Sequence, residues 1–278
     1  MKPAPFVYHR PRTLDEAVAL LASEPDAKVM AGGQSLVPLL SMRLAGPATI
    51  VDVSAVAGLA TLVVDDGGVR VGAMVRHADL LADPDARRVQ PLLGAALAHV
   101  AHPTIRNRGT TVGSIVHADA AAEMPVVLAV LEGSVDVVGP HGGRTIAAAD
   151  LVVGPLESSL APDEIATSAW FPALAPGAGV GFAEIARRRG DYAVVGVAAL
   201  VEAGGRARVG YLSVGDVPTV VDVTGVDPAD AGEAALAHLE PGGDVHASAA
   251  YRAQLVRVLT ARVLREAEAH RQTRQGAA

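Results

Sequence analysis

Two short segments of the chain carry residue types suited to gripping an anion. The first is Ala31-Gly32-Gly33-Gln34-Ser35, inside "VMAGGQSLVPLL", and the second is Gly109-Thr110-Thr111-Val112-Gly113-Ser114. Glycine adopts positive φ at little cost and lets a ligand approach its backbone without meeting a Cβ. Hydroxyls add donors, and free amides at the start of a helix sit at the positive end of its dipole. Each segment alone reads two ways, as a phosphate cradle or as a plain turn, because short glycine motifs match both. Other chemistries lack their residues. The chain has no Cys, no G-x-S-x-G and no Walker sequence. Thiol nucleophiles, disulfides and cysteine-held zinc or clusters are therefore excluded for this chain, and acyl transfer and P-loop hydrolysis lack their usual signatures. Nine His are scattered, and the close pair His99 and His102 has no third ligand nearby, so no metal site is expected.

The elements around the first segment form a recognisable unit. "TLDEAVALLAS" from Thr13 has capping-box spacing and a helical apolar stripe at Leu14, Val18 and Leu21. "AKVMA" reads as a strand, "LVPLLSMRL" as a helix and "ATIVDVS" as a second strand. Strand, glycine loop, helix and strand make a βαβ unit with a right-handed crossover. Past residue 58, strands are expected at "GVRVGAMV", "SVDVVGP", "GRTIAAADLVV" and "DEIATSAWF", with helices at "HADLLAD", "VQPLLGAALAHVA" and "AAEMPVVLAVLEG". Residues 103–119, rich in Thr, Gly and Asn, are expected to be extended.

Pro and Gly cluster between Pro172 and Gly181, which marks a boundary. Gly177, Gly179 and Gly181 spell G-x-G-x-G there, but without the strand and helix of a dinucleotide fingerprint, so the run reads as a linker turn. Beyond it, three β-like runs suggest an antiparallel meander, followed by helices near 228–239 and 247–270. The last helix would put Tyr251, Leu255, Val258 or Leu259, and Val263 on one side.

Composition narrows the partners. The net charge is −7, and the longest basic block is Arg187 to Arg189, which argues against nucleic acid and anionic membrane. Half of the residues are hydrophobic and 19% are charged, as in a soluble globular protein. The N-terminal stretch lacks a secretory apolar region, and no uncharged run approaches the ~18 residues of a membrane span. A cytoplasmic location is the expectation.

In order and near these separations, "AGGQSLVPLLSMRL", "HPTIRNRGTTVGSIVHADAAAEMP" and "ARRRGDYAVVGVAAL" resemble the FAD-binding medium subunit of molybdenum hydroxylases. That family includes the carbon monoxide dehydrogenase flavoprotein and the flavin domain of xanthine dehydrogenase. The resemblance runs from about Pro5 to the last helix. It implies an α+β fold of the vanillyl-alcohol oxidase (PCMH) type, with an FAD-binding domain over 1–174 made of two α/β subdomains divided near residue 58. A C-terminal domain over 175–278, with a three-stranded antiparallel sheet and helices, would cover the flavin.

The resemblance also implies site residues. Ala31, Gly32, Gly33, Gln34 and Ser35 would hold the FAD diphosphate from one side, and Thr110, Thr111, Gly113 and Ser114 from the other. Asp119 and Glu123 lie in the segment whose acid, at the position of Glu123, accepts from ribityl or ribose hydroxyls. Read from the residues alone, Glu123 is equally a helix-start charge. Asp191 and Tyr192 fall in the "GDYA" stretch, where the Tyr lies against the isoalloxazine and gates access to it. A buried core Tyr is the alternative. Three departures stand out: Val112 replaces a glycine, with a Cβ expected to crowd the diphosphate or shift the loop; Ala120 replaces Pro; Thr219 and Val220 follow "GDVP" where the family has Arg.

The function implied is an FAD-dependent oxidoreductase subunit. Electrons would come from a molybdenum-cofactor large subunit through an iron–sulfur small subunit to FAD, and then to an external acceptor. The second reading is a stand-alone FAD enzyme acting directly on a small organic substrate.

Overall fold

The computed structural model describes residues 1–24 and 26–276. At the start, β1 (Val7–His9), α1 (Leu14–Ser23), β2 (Ala27–Met30), α2 (Leu36–Met42) and β3 (Thr49–Asp52) build a three-stranded sheet of order β1-β3-β2. Both pairings are parallel, and the central strand β3 is buried at every residue. Thr13 opens α1 with the expected capping box: its hydroxyl accepts from the Glu16 N–H at 3.2 Å, and the Glu16 carboxylate accepts from the Thr13 N–H at 3.3 Å. The first glycine loop hangs between the carboxyl end of β2 and the start of α2. Open parallel sheets present ligand crevices at that edge.

The chain continues through β4 (Leu62–Asp65), β5 (Gly68–Gly72), α3 (His77–Ala82), α4 (Pro84–Val89), α5 (Pro91–Leu97), α6 (Pro103–Arg106), α7 (Thr111–His117) and α8 (Glu123–Val130). After them come β6 (Ser134–Gly139), β7 (Gly142–Ala147), β8 (Val152–Gly154), β9 (Glu157–Ser158) and β10 (Ile165–Pro172). Five of these strands form an antiparallel sheet of order β4-β5-β10-β6-β7, and β8 pairs separately with β9. Residues 103–119 are not extended as expected but carry two short helices. Pro103 suits a first helical position, where no N–H is required, and Thr110 caps α7 by accepting from the Gly113 N–H at 3.1 Å. Capping, rather than periodicity, makes these helices, and four to seven residues are too few to show a period.

The remaining strands, β11 (Gly179–Ala186), β12 (Ala193–Val201), β13 (Ala207–Leu212) and β14 (Thr219–Asp222), form an antiparallel sheet in chain order, followed by α9 (Ala231–Leu236) and α10 (Ala249–Gly276). Three strands were expected, and Thr219–Asp222 adds a fourth by pairing with β13. All nine residues of β12 are buried, which requires cover on both faces. Helix α10 packs on β11 and β12, while α8 packs on β12, β13 and β14.

Two readings are corrected here. Gly179 and Gly181 belong to β11 rather than to a linker turn, and a Cβ on them would lie 2.0 Å from the Ala267 carbonyl and 2.7 Å from the Val263 carbonyl of α10. They are glycines because strand and helix backbones touch. The buried stripe of α10 runs through Arg252, Val256, Leu259, Val263 and Ala267, whereas Tyr251 and Val258 are 49% and 52% exposed. A polar side chain, Arg252, holds the inward position that an apolar stripe count passes over.

Candidate functional site

The two glycine segments meet. A Cβ on Gly32 would lie 2.5 Å from the Arg108 carbonyl oxygen and 2.8 Å from the Gly109 Cα, so the first loop is pressed backbone to backbone against the second. Gly33 has φ +70, where a glycine is favoured. The Gln34 side-chain amide donates to the Gly32 carbonyl at 3.1 Å and closes the turn. Ser35 precedes α2 without capping it. Among the described residues, the N–H groups of Gly32, Gly33, Gln34 and Ser35 find no acceptor in the chain. Successive free amides in a turn make a concavity that binds anionic oxygens.

The second segment is held by side chains. Arg76 donates a guanidinium N–H to the Arg108 carbonyl, and the His77 N–H donates to the Gly109 carbonyl at 3.0 Å. His77 Nδ1 lies 3.1 Å from the Thr111 hydroxyl. Burial, and secondarily the Arg106 charge, bring the His77 imidazole down to about 4, so it is neutral near pH 7. Thr110 is spent on the cap, and a Cβ on Gly113 would lie 2.5 Å from the Thr110 hydroxyl oxygen, so this glycine makes room for the cap. The Ser114 N–H donates to the Thr110 carbonyl at 3.0 Å. Val112, expected to crowd a ligand, is 1% exposed and packs in the core.

A second group of predicted residues gathers at the start of α8. Asp119 accepts from the Ala121 N–H at 2.9 Å, and the flanking carbonyls of Ala118 and Ala120 accept from the N–H groups of Leu156 and Ser213 at 3.0 and 2.8 Å. The last bond ties this segment to the end of β13. Tyr192 lies between β11 and β12 with 63% of its surface open, so it is not a core residue. Partial desolvation, and then the nearby charges of Asp119 and Glu123, push its hydroxyl up to about 12. Asp191 binds Arg188 at 3.1 Å and tightens the turn before Tyr192. Glu123 is 7% exposed, and its carboxyl is raised to about 7, first by burial and then by the charge of Glu184.

Three residues of this region were missed in the sequence. Glu184 was hidden in the apolar run "VGFAEIA", although a lone acid in a buried strand is itself a signal. His77 was read only as a helix start. Arg252 donates to the carbonyls of Val194 and Ser213 at 2.6 and 2.5 Å and to Asp244 at 2.6 Å. It thereby fastens the strands that carry Tyr192 and the Ser213 tie. Among the described residues, no three or more His, Asp or Glu are grouped to hold a metal ion, and no helix is long and apolar enough to cross a membrane.

A fold with parallel and antiparallel sheets clasping two facing glycine loops defines a class, and sequence comparison states which. Residues 4–174 match the FAD binding domain in molybdopterin dehydrogenase, and residues 181–267 match the CO dehydrogenase flavoprotein C-terminal domain. The chain belongs to the FAD-binding medium subunits of molybdenum hydroxylases. It is 42% identical over 284 residues to the nicotine 6-hydroxylase medium subunit of Paenarthrobacter nicotinovorans, spanning 97% of this chain and 99% of the other. Quinoline 2-oxidoreductase from Pseudomonas putida 86 superposes with TM-score 0.89 at 37% identity, covering 100% of this chain and 99% of that one. Carbon monoxide dehydrogenase from Hydrogenophaga pseudoflava superposes with TM-score 0.92 at 31% identity, covering 97% and 99%. The family resemblance read from the sequence, and the fold it implies, are borne out.

Proposed function

We propose that this chain is the flavin-carrying member of a three-part enzyme. A large subunit oxidises the substrate at a molybdenum cofactor, and a small iron–sulfur subunit delivers the electrons here for transfer to an external acceptor. FAD, when bound, supplies the ability to take up electrons singly and release them singly or in pairs. The observation that carries the reading is the run of free amides from Gly32 to Ser35, set against the second loop at the carboxyl end of β2.

In this reading, Ala31 to Ser35 hold one side of the diphosphate, and Thr110, Thr111, Gly113 and Ser114 shape the other. Asp119 and Glu123 face the hydroxyls of the ribityl or ribose part. Tyr192, steadied by the Asp191 turn, covers the flavin ring as a movable lid with an apolar face. The cofactor domain spans 1–174, with its subdomains divided near residue 58, and the C-terminal domain follows from 175. The absence of Cys leaves the clusters to another chain. Location in the cytoplasm fits the same picture. The relatives named for nicotine and quinoline are 42% and 37% identical, against 31% for carbon monoxide dehydrogenase. That ranking supports an N-heteroaromatic substrate for the large subunit.

The test is purification from the native host. Large and small subunits should accompany the chain, and its flavin should bleach when an N-heteroaromatic substrate is added. A chain that retains no flavin absorbance after incubation with FAD overturns the proposal. Bleaching by a small substrate with this chain alone would make it a stand-alone enzyme.

A further inference from the structure

The second glycine segment is held by the five-stranded sheet, not by the sheet that carries the first. Just past β5, the Ala73 N–H donates to the Thr167 carbonyl at 2.9 Å and the Met74 N–H to the Leu59 carbonyl at 2.7 Å, which fixes the course of the chain as it leaves the sheet. Residues 75–77 then run antiparallel to 109–111 as a strap. Arg76 and Thr110 are bridge partners, the His77 N–H donates to the Gly109 carbonyl at 3.0 Å, and the Thr111 N–H donates to the Val75 carbonyl at 3.4 Å. Side chains reinforce both ends: the Arg76 guanidinium donates to the Arg108 carbonyl, and His77 Nδ1 meets the Thr111 hydroxyl at 3.1 Å. His77 and Thr111 are 4% and 0% exposed. A Cβ on Gly109 would lie 3.0 Å from His77 Cδ2, so the imidazole lies directly against the loop backbone. The Thr111 hydroxyl is thus occupied inside the protein. Among the described residues, the Thr110 N–H finds no acceptor in the chain. With its neighbours making the strap's two bonds, Thr110 is in a non-hydrogen-bonded pair, and its N–H points away from Arg76.

We propose that Arg76 and His77 are positioning residues that make this chain select a diphosphate over a single phosphate. The proposal rests on the reading above that the two glycine segments hold one diphosphate between them. The first segment hangs from β2 in one sheet, and the second, through the strap, from β5 in the other. The free amides of Gly32 to Ser35 suffice to hold one phosphate without help from the strap. The other phosphate of a diphosphate depends on where the strap sets the second loop. A loop fixed in advance pays no ordering cost when the ligand arrives. Freeing it therefore weakens only those ligands long enough to reach it.

Displacement of FAD from the intact chain by ADP and by AMP, read by flavin fluorescence, tests this, because the two probes share adenosine and differ by one phosphate. The wild-type chain should prefer ADP by about tenfold or more, as for one charge-assisted hydrogen bond. His77→Phe keeps a ring and loses the Thr111 contact, and Thr111→Val loses the hydroxyl at nearly equal volume. Either change, or Arg76→Met, should cut the preference to about threefold or less once the loop is no longer preorganised. Combining His77→Phe with Thr111→Val should add little, since both remove the same contact. His77→Asn, which offers an amide atom near the place of Nδ1, should restore most of the preference and serves if His77→Phe does not fold. AMP affinity should stay within about twofold throughout, the usual limit for independent changes. A merely structural role would weaken AMP and ADP alike, and that result overturns the proposal, as does an ADP preference that survives in every variant. If the wild-type chain binds FAD but does not distinguish ADP from AMP, it is the reading of the two segments as a diphosphate clamp that fails, and the proposal falls with it.

Discussion

At residues 31–35 the chain is shaped by what is missing, and at residues 109–114 by what is present. In the first loop, Gly32 has no side chain because a carbonyl and a Cα of the second loop occupy that space, and Gly33 holds a positive φ. In the second, the Thr110 cap, the Thr111 contact with His77 and the Arg76 bond to the Arg108 carbonyl fix the backbone. The difference explains why one family glycine is replaceable. Position 112 lies in the loop whose geometry comes from hydroxyls and a neighbouring imidazole, and its side chain turns into the core.

The contrast breaks most directly at Val112. Restoring the family residue with Val112→Gly should destabilise the chain by about 3 to 4 kcal/mol, combining a lost buried Val with a glycine inside a helix. FAD affinity should not rise, and a gain in affinity would show that the valine does crowd the cofactor. Acid should loosen the second loop while sparing the first. The His77 imidazole lies at about 4 in the fold against an ordinary 6.5, so its contribution is present above 6.5 and is lost as pH falls toward 4. That loss amounts to about 3 kcal/mol. Glu123, raised from 4.5 to about 7, acts in the opposite sense, losing its contribution as pH rises through 7. Urea unfolding of wild type and His77→Gln at matched pH isolates the acid-side loss, which the variant should lack. Gly32→Ala should cost about 2 kcal/mol by forcing the loops apart, and should lower FAD affinity more than stability, as read by fluorescence titration beside thermal melting. Thr110→Ala removes one cap, worth about 1 kcal/mol, and should be the mildest change in a melting curve.

The βαβ unit was legible because one strand, one glycine loop and one helix each carry a local signal. The first-loop residues were marked by the adjacent glycines, and the second by its hydroxyls and by the family resemblance. Three kinds of feature were not legible. β14 is four residues long and follows a proline, and its existence depends on a partner strand. Glu184 and Arg252 sit at positions that an apolar pattern treats as noise, and only tertiary contacts reveal their partners. The facing of Gly32 and Gly109 depends on the packing of segments 77 residues apart (109 − 32), which no local window contains.

Arg252 has a consequence for the order in which the molecule becomes competent. It joins Val194 and Ser213, and Ser213 in turn holds Ala120 beside Asp119. A ribosome releases Arg252 60 residues after Tyr192 (252 − 192). The nascent chain therefore displays both glycine loops well before the guanidinium that joins Val194 to Ser213. Those Arg252 contacts are then completed only when α10 docks.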